Sequence, residues 1–375
     1  MFNHIEINKN AYLHNVSLFR KLNPSGIFMA IVKSNAYGHG LLESIEILKG
    51  SADWYGVNSI AEASKIREID AETPILVMGV EDPSEYSFLS SEKGNGVRIV
   101  LSEQESIEEL KKRSPGTPFH LKVDTGMSRL GLHGRELVNI FQFLQKNNEL
   151  RWEGLMSHFA NVEDVTDQSY ARIQLENFLT AMNLSKAAAG KRKIINHIAA
   201  SAASLILPES RLDMIRVGIS LYGFWPSRET RISAKSQFAD LPELKPVMTW
   251  KSRLVHLNRV SADSCIGYGC TEKVVRDTVV GVVPVGYFEG YDRSLSNRGH
   301  ILVNGYRARI LGRVCMNMIM ADVTHIPDVR KGDEAVLFGV QGDEEITADE
   351  IAGLAGTINY EIVSRIQGDI PRNIV

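Results

Sequence analysis

The sequence predicts an α/β fold, a (β/α)8 TIM barrel with a C-terminal, mainly antiparallel β domain. Up to residue 240, short runs rich in β-branched residues alternate with stretches whose apolar residues recur at helical spacing. Such alternation indicates right-handed βαβ units and therefore a parallel sheet. Beyond residue 240 the helical spacing almost disappears while strand-like runs continue. This change of pattern predicts a second region built mainly of β-strands.

Eight strand-like runs occur in the first part of the chain. Eight is the number of strands that closes a (β/α)8 barrel. An open, doubly wound sheet is the competing architecture, but its glycine-rich fingerprint is absent from the sequence. We therefore expect a barrel, with strands within 27–33, 54–59, 75–79, 97–101, 119–124, 153–159, 194–198 and 214–220.

Three of the stretches between these runs have the clearest helical periodicity, namely LLESIEILK, EQESIEELKKR and RELVNIFQFLQ. Ser102 precedes the second stretch and Glu105 follows three residues later, which is typical of a capping box. The sequence thus predicts a helix whose first turn is capped by the Ser102 hydroxyl.

The segment LPELKP, at 241–246, predicts a linker between two domains. We expect a barrel domain over 8–240 and a β domain over 241–375, with residues 1–7 pairing with the β domain. Asn304-Gly305 predicts a type I′ hairpin, and TADEIAGLAG predicts a short helix. The strand-like runs of the β domain are MTWKSRLVHLNRV, TVVGVVPVGY, HILVNGYRARILGRV, MIMADV and EAVLFG.

Composition disfavours several classes of protein. The chain has 375 residues, of which 44% are hydrophobic and 23% charged, as in an ordinary globular protein. Its net charge of −3 argues against a nucleic-acid binder. The sequence has no apolar run that could span a bilayer and no signal peptide, so we expect a cytoplasmic protein without a membrane partner. No metal site is expected, because the cysteines form no CxxC pair: Cys265, Cys270 and Cys315.

In a (β/α)8 barrel the active site lies at the C-terminal ends of the strands. Lys33 is predicted at the end of the first strand, where partial desolvation would lower the pKa of its amine and favour a nucleophile or Schiff-base former. The alternative is a lysine that only extends into solvent, and the pattern alone favours neither. Other polar or small residues near predicted strand ends are Asp124, Arg129, His158, Ser201, Arg216 and Gly218.

The pattern leaves the roles of several positions open. His158 fits an ordinary polar residue at a strand end as well as a catalytic one. Ser201 and Gly218 fit the phosphate-binding loops after strands 7 and 8 of many barrels, although small residues there also serve packing. Tyr268 lies between glycines in GYGCT. Taken alone, that pattern favours an aromatic residue in a surface turn.

The segment AIVKSNAYGHG (30–40) closely resembles the pyridoxal-phosphate lysine motif of the alanine racemases. Further segments resemble the same family in the same order along nearly the whole chain, and their agreement is far more specific than one motif. The family architecture, a barrel followed by a β domain, is the one predicted above. These further segments are LKVDTGMSRLGL (121–132), SHFAN (157–161), MIRVGISLYG (214–223), GYGCT (267–271), GYFEGYDR (286–293), LGRVCMNMIMADV (311–323) and YEIVSRIQGDIPR (360–372).

The resemblance implies a pyridoxal 5′-phosphate site in the barrel. Lys33 would hold the cofactor covalently, and Arg216 would face its pyridine nitrogen. Arg129 would lie near the substrate carboxylate, and Lys122 matches a lysine that is carbamylated in many members. His158 would connect Arg216 with a second catalytic base. The residues around the cofactor phosphate would be Tyr37, Ser201, Gly218, Ile219 and Tyr360.

The resemblance also implies two catalytic bases on opposite faces of the substrate, Lys33 for D-alanine and Tyr268 for L-alanine. A tyrosine with a pKa near ~10 is a poor base at neutral pH, so it needs positive charge nearby. In the family this tyrosine comes from the neighbouring subunit, as do residues at the substrate entrance that match Tyr287 and Met316. A homodimer with shared active sites follows from this resemblance.

Three positions depart from the family pattern: Ala200 stands where an asparagine is common, and Glu289 and Asn317 stand where aspartates are usual. Asn317 matches a position that lines the inner entrance, so its lost negative charge is expected to affect substrate preference or access. Tyr360 follows the pattern, and its bulk favours a small substrate side chain such as the methyl of alanine.

The sequence therefore predicts an amino-acid racemase that interconverts L- and D-alanine and supplies D-alanine for peptidoglycan. A broader serine/alanine racemase and a non-catalytic pyridoxal-phosphate-binding protein are the alternatives, and the latter class lacks the β domain. A basic amino-acid decarboxylase shares the architecture. It usually presents a carboxylate to the pyridine nitrogen, where this chain has Arg216.

Overall fold

The computed structural model describes residues 2–163, 167–240 and 242–375. Leu241, the first residue of the predicted linker, lies outside this range. The chain forms two compact units. The barrel unit comprises Ala11–Ser34 and Ser44–Lys245, and the β unit comprises Met1–Asn10, Asn35–Glu43 and Pro246–Val375. The boundaries 8–240 and 241–375 remain a prediction.

Within its described residues, the barrel unit holds eight parallel strands in the order β8-β7-β6-β5-β4-β3-β2-β9. Backbone hydrogen bonds next to β8 and β9, the two ends of this order, nearly close the ring. The N–H of Arg216 donates to the carbonyl oxygen of Ala199, just beyond β8, at 3.0 Å. The predicted fold class is confirmed. The strands are β2 (Ile27–Ile31), β3 (Trp54–Val57), β4 (Ile75–Val77), β5 (Val97–Leu101), β6 (Phe119–Lys122), β7 (Trp152–Met156), β8 (Ile195–His197) and β9 (Met214–Val217).

Helices lie between most of the barrel strands, and α6 buries one face against the sheet. On α6, Leu137, Ile140, Phe141 and Leu144 are buried at the spacing of one helical face. The Phe141 ring lies 5.6 Å from that of Trp152 on β7, so helix and sheet share one core. The helices up to residue 240 are α1 (Lys9–Leu22), α2 (Lys33–Tyr37), α3 (Leu41–Leu48), α4 (Ile60–Ile66), α5 (Gln104–Arg113), α6 (Gly134–Lys146), α7 (Ser169–Ala189), α8 (Ser201–Ile206) and α9 (Arg228–Lys235).

The β unit contains a mainly antiparallel sheet in the order β16-β15-β18-β10-β1-β20, with β19 added at β18. Strand β1 pairs antiparallel with β10 and parallel with β20, so residues near the N-terminus belong to this sheet. The elements are β1 (His4–Ile7), β10 (Met248–Arg253), β11 (His256–Val260), β12 (Cys265–Ile266), β13 (Glu272–Lys273), β14 (Thr278–Val283), β15 (His300–Val303), β16 (Tyr306–Arg309), β17 (Ile319–Asp322), β18 (Glu334–Gln341), β19 (Glu344–Ile346), β20 (Arg372–Ile374), α10 (Ala348–Ala355) and α11 (Asn359–Ser364).

The hairpin predicted at Asn304-Gly305 is confirmed. Val303 pairs with Tyr306 across the turn, and the two central residues have φ of 49° and 80°. Positive φ at both positions is the requirement of a type I′ turn. The helix predicted in TADEIAGLAG is also present, as α10, with Thr347 as its capping residue.

The predicted capping box at Ser102 is wrong. Helix α5 begins at Gln104, its capping position is Glu103, and no side-chain hydrogen bond caps it. Several strands are also shorter than predicted: β2 ends at Ile31 and β7 at Met156. For β2 the composition does not show this end, because Val32 continues the apolar run beyond the strand. Among the described residues, no helix combines the length and the apolar character needed to cross a bilayer.

Candidate active site

Lys33 follows the first barrel strand instead of ending it. Its side chain is partly buried. Burial lowers the pKa of the amine, nearby Arg129 lowers it further, and Glu62 opposes the shift. At neutral pH Lys33 therefore holds more of the free amine than an exposed lysine does. The free amine is the form that acts as a nucleophile or base.

Glu62, in the first turn of α4, fixes the backbone next to Lys33. Its Oε1 accepts the N–H of Ser34 at 2.6 Å, and its Oε2 accepts the N–H of Asn58 at 2.8 Å. Ser59 caps the same helix by accepting the N–H of Glu62 at 3.2 Å. The sequence analysis missed Glu62. Its signal was a serine three residues before a glutamate, the pattern of a capping box.

The residues after Lys33 form a left-handed helical turn. Ser34–Tyr37 have φ between 53° and 56°, a region that costs roughly 1–2 kcal/mol per residue for L-amino acids. Within the β unit the N–H of Gly40 donates to the carbonyl oxygen of Asn35 at 3.0 Å, which holds the turn. At Gly38, φ is 83° and a Cβ would lie 1.9 Å from the Val363 carbonyl oxygen, so glycine is required there.

Arg216 is buried on β9. Its Nη2 donates to the carbonyl oxygens of Ser157 at 2.8 Å and Ile198 at 3.0 Å, and lies 3.2 Å from His158 Nδ1. Its Nη1 donates to His197 Nδ1 at 2.9 Å. Burial lowers the pKa of Arg216 to about 9, so the guanidinium is still charged at neutral pH. A charged guanidinium donates hydrogen bonds and accepts none.

Lys33, Lys122, Arg129, His158 and Arg216 form a group that we call the basic cluster. The pKa of His158 lies well below its usual value because the ring is buried and because of Arg216, Lys122, Arg129 and Lys33, in that order. His158 is therefore neutral, and its Nδ1 can accept a hydrogen bond from Arg216. The structure thus brings together five residues that the sequence analysis selected.

Lys122 ends β6 and is buried. Burial, Arg216 and Arg129 lower the pKa of its amine from 10.5 to about 7, against the opposing charge of Asp124. About half of the Lys122 side chains are therefore uncharged near pH 7.

Asp124 shapes the loop that holds Arg129. Its Oδ1 accepts the backbone N–H groups of Gly126, Met127 and Ser128 at 2.8–3.1 Å. The N–H of Asp124 itself donates to the carbonyl oxygen of Leu132 at 3.0 Å, which closes the loop at its base. Asp124, selected from the sequence as a polar strand-end residue, thus acts on the loop backbone.

Ser201 and Gly218 meet where β8 and β9 end. Ser201 is buried at the start of α8, and its Oγ accepts the N–H of Gly218 at 2.9 Å. Gly218 precedes a 3-10 helical turn at Ile219–Tyr222. The first N–H groups of a helical turn have no acceptor within it, which suits them to an anion. The hydroxyl of Ser220 is buried without a hydrogen-bond partner in the described part of the chain.

The other five selected residues lie in the β unit, and they differ in burial. Tyr37 and Tyr360 have ring centroids 6.1 Å apart, and burial raises the pKa of Tyr37 to about 12. By contrast, Tyr268 is 70% exposed in the turn between β12 and β13. Its neighbours Gly267 and Gly269 have φ near 70°, so the turn depends on both glycines.

The remaining two, Tyr287 and Met316, lie in paired segments of the β unit and are exposed. The N–H of Tyr287 donates to the Cys315 carbonyl oxygen at 3.0 Å, and that of Phe288 donates to the Met316 carbonyl oxygen at 2.9 Å. Phe288 is exposed as well. These segments therefore present a patch of large apolar side chains to solvent, a feature typical of a binding surface.

Two of the positions that depart from the family pattern contact each other. The Asn317 Nδ2 donates to Glu289 Oε1 at 2.8 Å. Glu289 Oε2 accepts the N–H of Gly286 at 2.8 Å. An amide and a carboxylate thus stand where the family pattern has two acidic residues.

Comparison with known proteins agrees with this arrangement. Residues 7–226 match the alanine racemase N-terminal domain and residues 247–374 the alanine racemase C-terminal domain. The alanine racemase of Leptospira interrogans is 44% identical over 99% of this chain and 95% of its own length. That of Carboxydothermus hydrogenoformans is 38% identical over 98% of both chains.

Solved structures show the same similarity. Alanine racemase from Bacillus anthracis, with bound L-Ala-P, has a TM-score of 0.90 at 30% identity and covers 100% of this chain and 95% of its own. The biosynthetic alanine racemase from Pseudomonas aeruginosa has a TM-score of 0.86 at 30% identity, covering 100% and 99%. Because both domain matches and full-length relatives agree, this chain belongs to the alanine racemase family.

Proposed function

We propose that this protein interconverts L- and D-alanine with pyridoxal 5′-phosphate bound at Lys33. The observation that supports this most directly is the basic cluster, in which Lys33, whose pKa is lowered, and the buried Arg216 both lie near His158. Alanine as the substrate is supported by the relatives named alanine racemase and by the Bacillus anthracis structure with L-Ala-P.

The residues present fit pyridoxal phosphate. The strand-end region around Lys33 has more basic than acidic groups, and an anionic cofactor would balance them. The buried, unpartnered hydroxyl of Ser220 and the backbone N–H of Ile219 offer donors for a phosphate, beside the Ser201–Gly218 contact. We assign Tyr37 and Tyr360 to the same phosphate.

When bound, the cofactor supplies an electron sink for the α-carbon of alanine. The amine of Lys33 would hold the cofactor covalently and, after the amino group of alanine has displaced it, would exchange a proton with the α-carbon on the D-alanine side. Arg216, which donates only, would hydrogen-bond the pyridine nitrogen without giving up its proton. Because Arg216 keeps its proton, it would leave the pyridine ring less electron-withdrawing. This disfavours side reactions such as transamination.

Tyr268 is assigned as the base for L-alanine, contributed by the partner subunit of a homodimer. The exposed apolar residues Tyr287, Phe288 and Met316 suit a surface that a second copy of this chain covers. Arg129 would hold the substrate carboxylate, and Tyr287 and Met316 would line the entrance. His158 would connect Arg216 with Tyr268.

Lys122 is assigned as the carbamylated position. Its partly uncharged amine is the form that reacts with carbon dioxide, and the product is an anion. An anion near Arg129 and Arg216 would balance two positive charges, of which that of Arg216 is buried. We further propose that the D-alanine produced serves peptidoglycan synthesis.

The test uses the purified protein loaded with pyridoxal phosphate. Borohydride reduction followed by peptide mapping should label Lys33, and proton NMR in deuterium oxide should show exchange of the α-hydrogen of both alanine isomers. Lys33→Ala should lose label and exchange, whereas Lys49→Ala, which alters an exposed lysine, should keep both. Absence of exchange in the unaltered protein would refute the proposed activity.

A further inference from the structure

A continuous line of polar side chains crosses the interior of the barrel from Arg216, which we call the interior chain: Arg216, His197, His120, Glu153 and Arg98. Arg216 Nη1 donates to His197 Nδ1 at 2.9 Å, and His197 Nε2 lies 2.8 Å from His120 Nδ1. His120 Nε2 makes no hydrogen bond within the described residues; it lies 3.6 Å from Glu153 Oε2, close enough for electrostatic attraction. Arg98 then binds Glu153 through Nε at 2.8 Å and Nη2 at 3.2 Å.

The donor at one end of the chain and the carboxylate at the other favour the same proton positions. Arginine only donates, so the Nδ1 of His197 must be unprotonated. The Nε2 of His197 then carries the proton and donates to His120 Nδ1. His120 is left with its proton on Nε2, directed at Glu153. Both histidine pKa values lie below their usual value, mainly because the rings are buried, so both rings are neutral.

Glu153 is the anionic end of the chain. Burial raises the pKa of its carboxyl, but His120 and Arg98 outweigh burial and lower the pKa to about 2. The carboxylate is therefore ionised at any pH at which the protein works. Arg98 is held in turn, because its guanidinium lies 4.7 Å from the centre of the Trp54 ring.

Arg216 has no anionic acceptor among its described contacts, and the interior chain links it to the ion pair of Glu153 and Arg98. The four acceptors around the Arg216 guanidinium are neutral: two carbonyl oxygens and two histidine nitrogens. A buried cation without an anion is costly. A carboxylate at the far end attracts the Nε2 proton of His120, which favours the tautomers whose Nδ1 lone pairs face His197 and Arg216.

We propose that Glu153 and Arg98 are positioning residues, which hold His120 and His197 in one tautomer and thereby orient Arg216. This inference rests on the proposed function, in which Arg216 faces the pyridine nitrogen. Glu153 itself lies far from the reacting atoms. It precedes His158 by five residues, about 16 Å along an extended strand.

The test compares Glu153→Gln with Glu136→Gln, which alters an exposed glutamate 3.8 Å from His133. The first readout is the nitrogen-15 spectrum of the histidine rings in the cofactor-free protein, with the two signals assigned through His120→Gln and His197→Gln. In the unaltered protein and in Glu136→Gln, each ring should show a protonated Nε2 and a bare Nδ1. In Glu153→Gln, only the hydrogen bond from His197 still favours a proton on His120 Nε2, so His120 should populate the second tautomer as well.

The second readout is kinetic. Glu153→Gln should lower kcat about tenfold with KM for alanine nearly unchanged, because the neutral amide no longer attracts the His120 proton and Arg216 is oriented less firmly. Arg98→Lys keeps the positive charge, so its kcat should lie between that of the unaltered protein and that of Glu153→Gln. It also provides a measurement if Glu153→Gln fails to fold.

Two results would overturn the proposal. One is a single, unchanged tautomer of His120 in Glu153→Gln; the other is an equal change of kcat in Glu136→Gln. The tautomer measurement needs neither cofactor nor substrate. It therefore tests the interior chain even if the unaltered protein shows no α-hydrogen exchange, which would refute the proposed function instead.

Discussion

The candidate residues of the barrel unit and those at the exposed surface of the β unit are held in different ways. Arg216 makes four polar contacts within the barrel unit, and Lys122 is buried beside two arginines. Tyr268, Tyr287 and Met316 are exposed in the β unit. The barrel unit therefore preorganises its own candidate residues. The surface of the β unit presents its candidate residues to solvent.

This difference assigns a separate physical task to each group. Buried, hydrogen-bonded cations shift pKa values and fix orientations before any ligand binds. An exposed tyrosine gains such an environment only on assembly, when neighbouring groups replace water around it. If the proposed homodimer is correct, substitutions in the barrel should act within one chain, and those at the exposed surface should act through the partner.

The largest effect is expected for Tyr268→Phe. Loss of a general base costs about 10²–10⁴-fold in rate, and the loss should be greatest for turnover of L-alanine. Tyr306→Phe removes a hydroxyl from another exposed tyrosine of the β unit and should have little effect. The measurement is kcat for both isomers. Near-normal turnover of L-alanine by Tyr268→Phe would contradict the two-base assignment.

The next effect concerns assembly. Phe288→Arg places a charge in the exposed apolar patch, and burying it would cost about 2–5 kcal/mol, which weakens a dimer at least 30-fold by about 1.4 kcal/mol per power of ten. Specific activity should then fall on dilution, in step with the dimer fraction in sedimentation. Leu184→Arg changes an exposed leucine of the barrel unit and should leave both unchanged. If Phe288→Arg were monomeric and its specific activity did not change on dilution, one chain would be sufficient for catalysis and the shared site would be contradicted.

A smaller effect is expected in the pH dependence of stability. The folded pKa of Lys122 is lowered from 10.5 to about 7, so between these pH values the unfolded chain binds a proton that the folded chain does not. The free energy of unfolding should therefore rise with pH over that window, by up to about 1.4 kcal/mol per pH unit from this group.

Lys122→Met should remove this contribution, measured by denaturant unfolding of the cofactor-free protein in buffer without carbon dioxide. Lys111→Met alters an exposed lysine paired with Glu149 at 2.6 Å and should keep the slope. Equal slopes in the two variants would contradict the pKa assigned to Lys122.

The smallest effect is expected at Asn317. Asn317→Asp would place a second carboxylate against Glu289, where the amide now donates at 2.8 Å. Repulsion should destabilise the protein by about 1 kcal/mol at neutral pH and less below the carboxyl pKa values. Asn317→Ser removes the donor without adding charge. A comparison of unfolding midpoints at pH 7 and pH 4 separates the two causes, and equal losses at both pH values would exclude repulsion.

Much of the fold was predictable because it depends on short-range patterns. The alternating periodicities predicted the barrel and the β region. Asn304-Gly305 predicted one hairpin, because few residue pairs adopt a positive φ at both positions. Strand ends were less predictable. The sequence IFMAIVK continues to be apolar beyond Ile31, and only the left-handed turn that follows decides where pairing stops.

The site was predictable where a residue type has a narrow chemical use. Lys33 and Arg216 were selected from their positions near strand ends and from the family motifs. The interior chain was missed because it joins residues from β5, β6, β7, β8 and β9, whose contacts depend on the ring of strands. One signal was available: His120 and His197 both interrupt apolar strands, where a buried polar ring needs a partner.

The left-handed turn at Ser34–Tyr37 has a consequence for chirality. Its φ values are those that mirror-image residues adopt without strain. Replacing Ala36 by D-alanine through chemical ligation should therefore preserve the turn and raise stability by about 1 kcal/mol, while L-valine there should lower it. The backbone that follows Lys33 thus has φ values that fit a D-residue better than an L-residue. The protein is proposed to make the D-form of alanine.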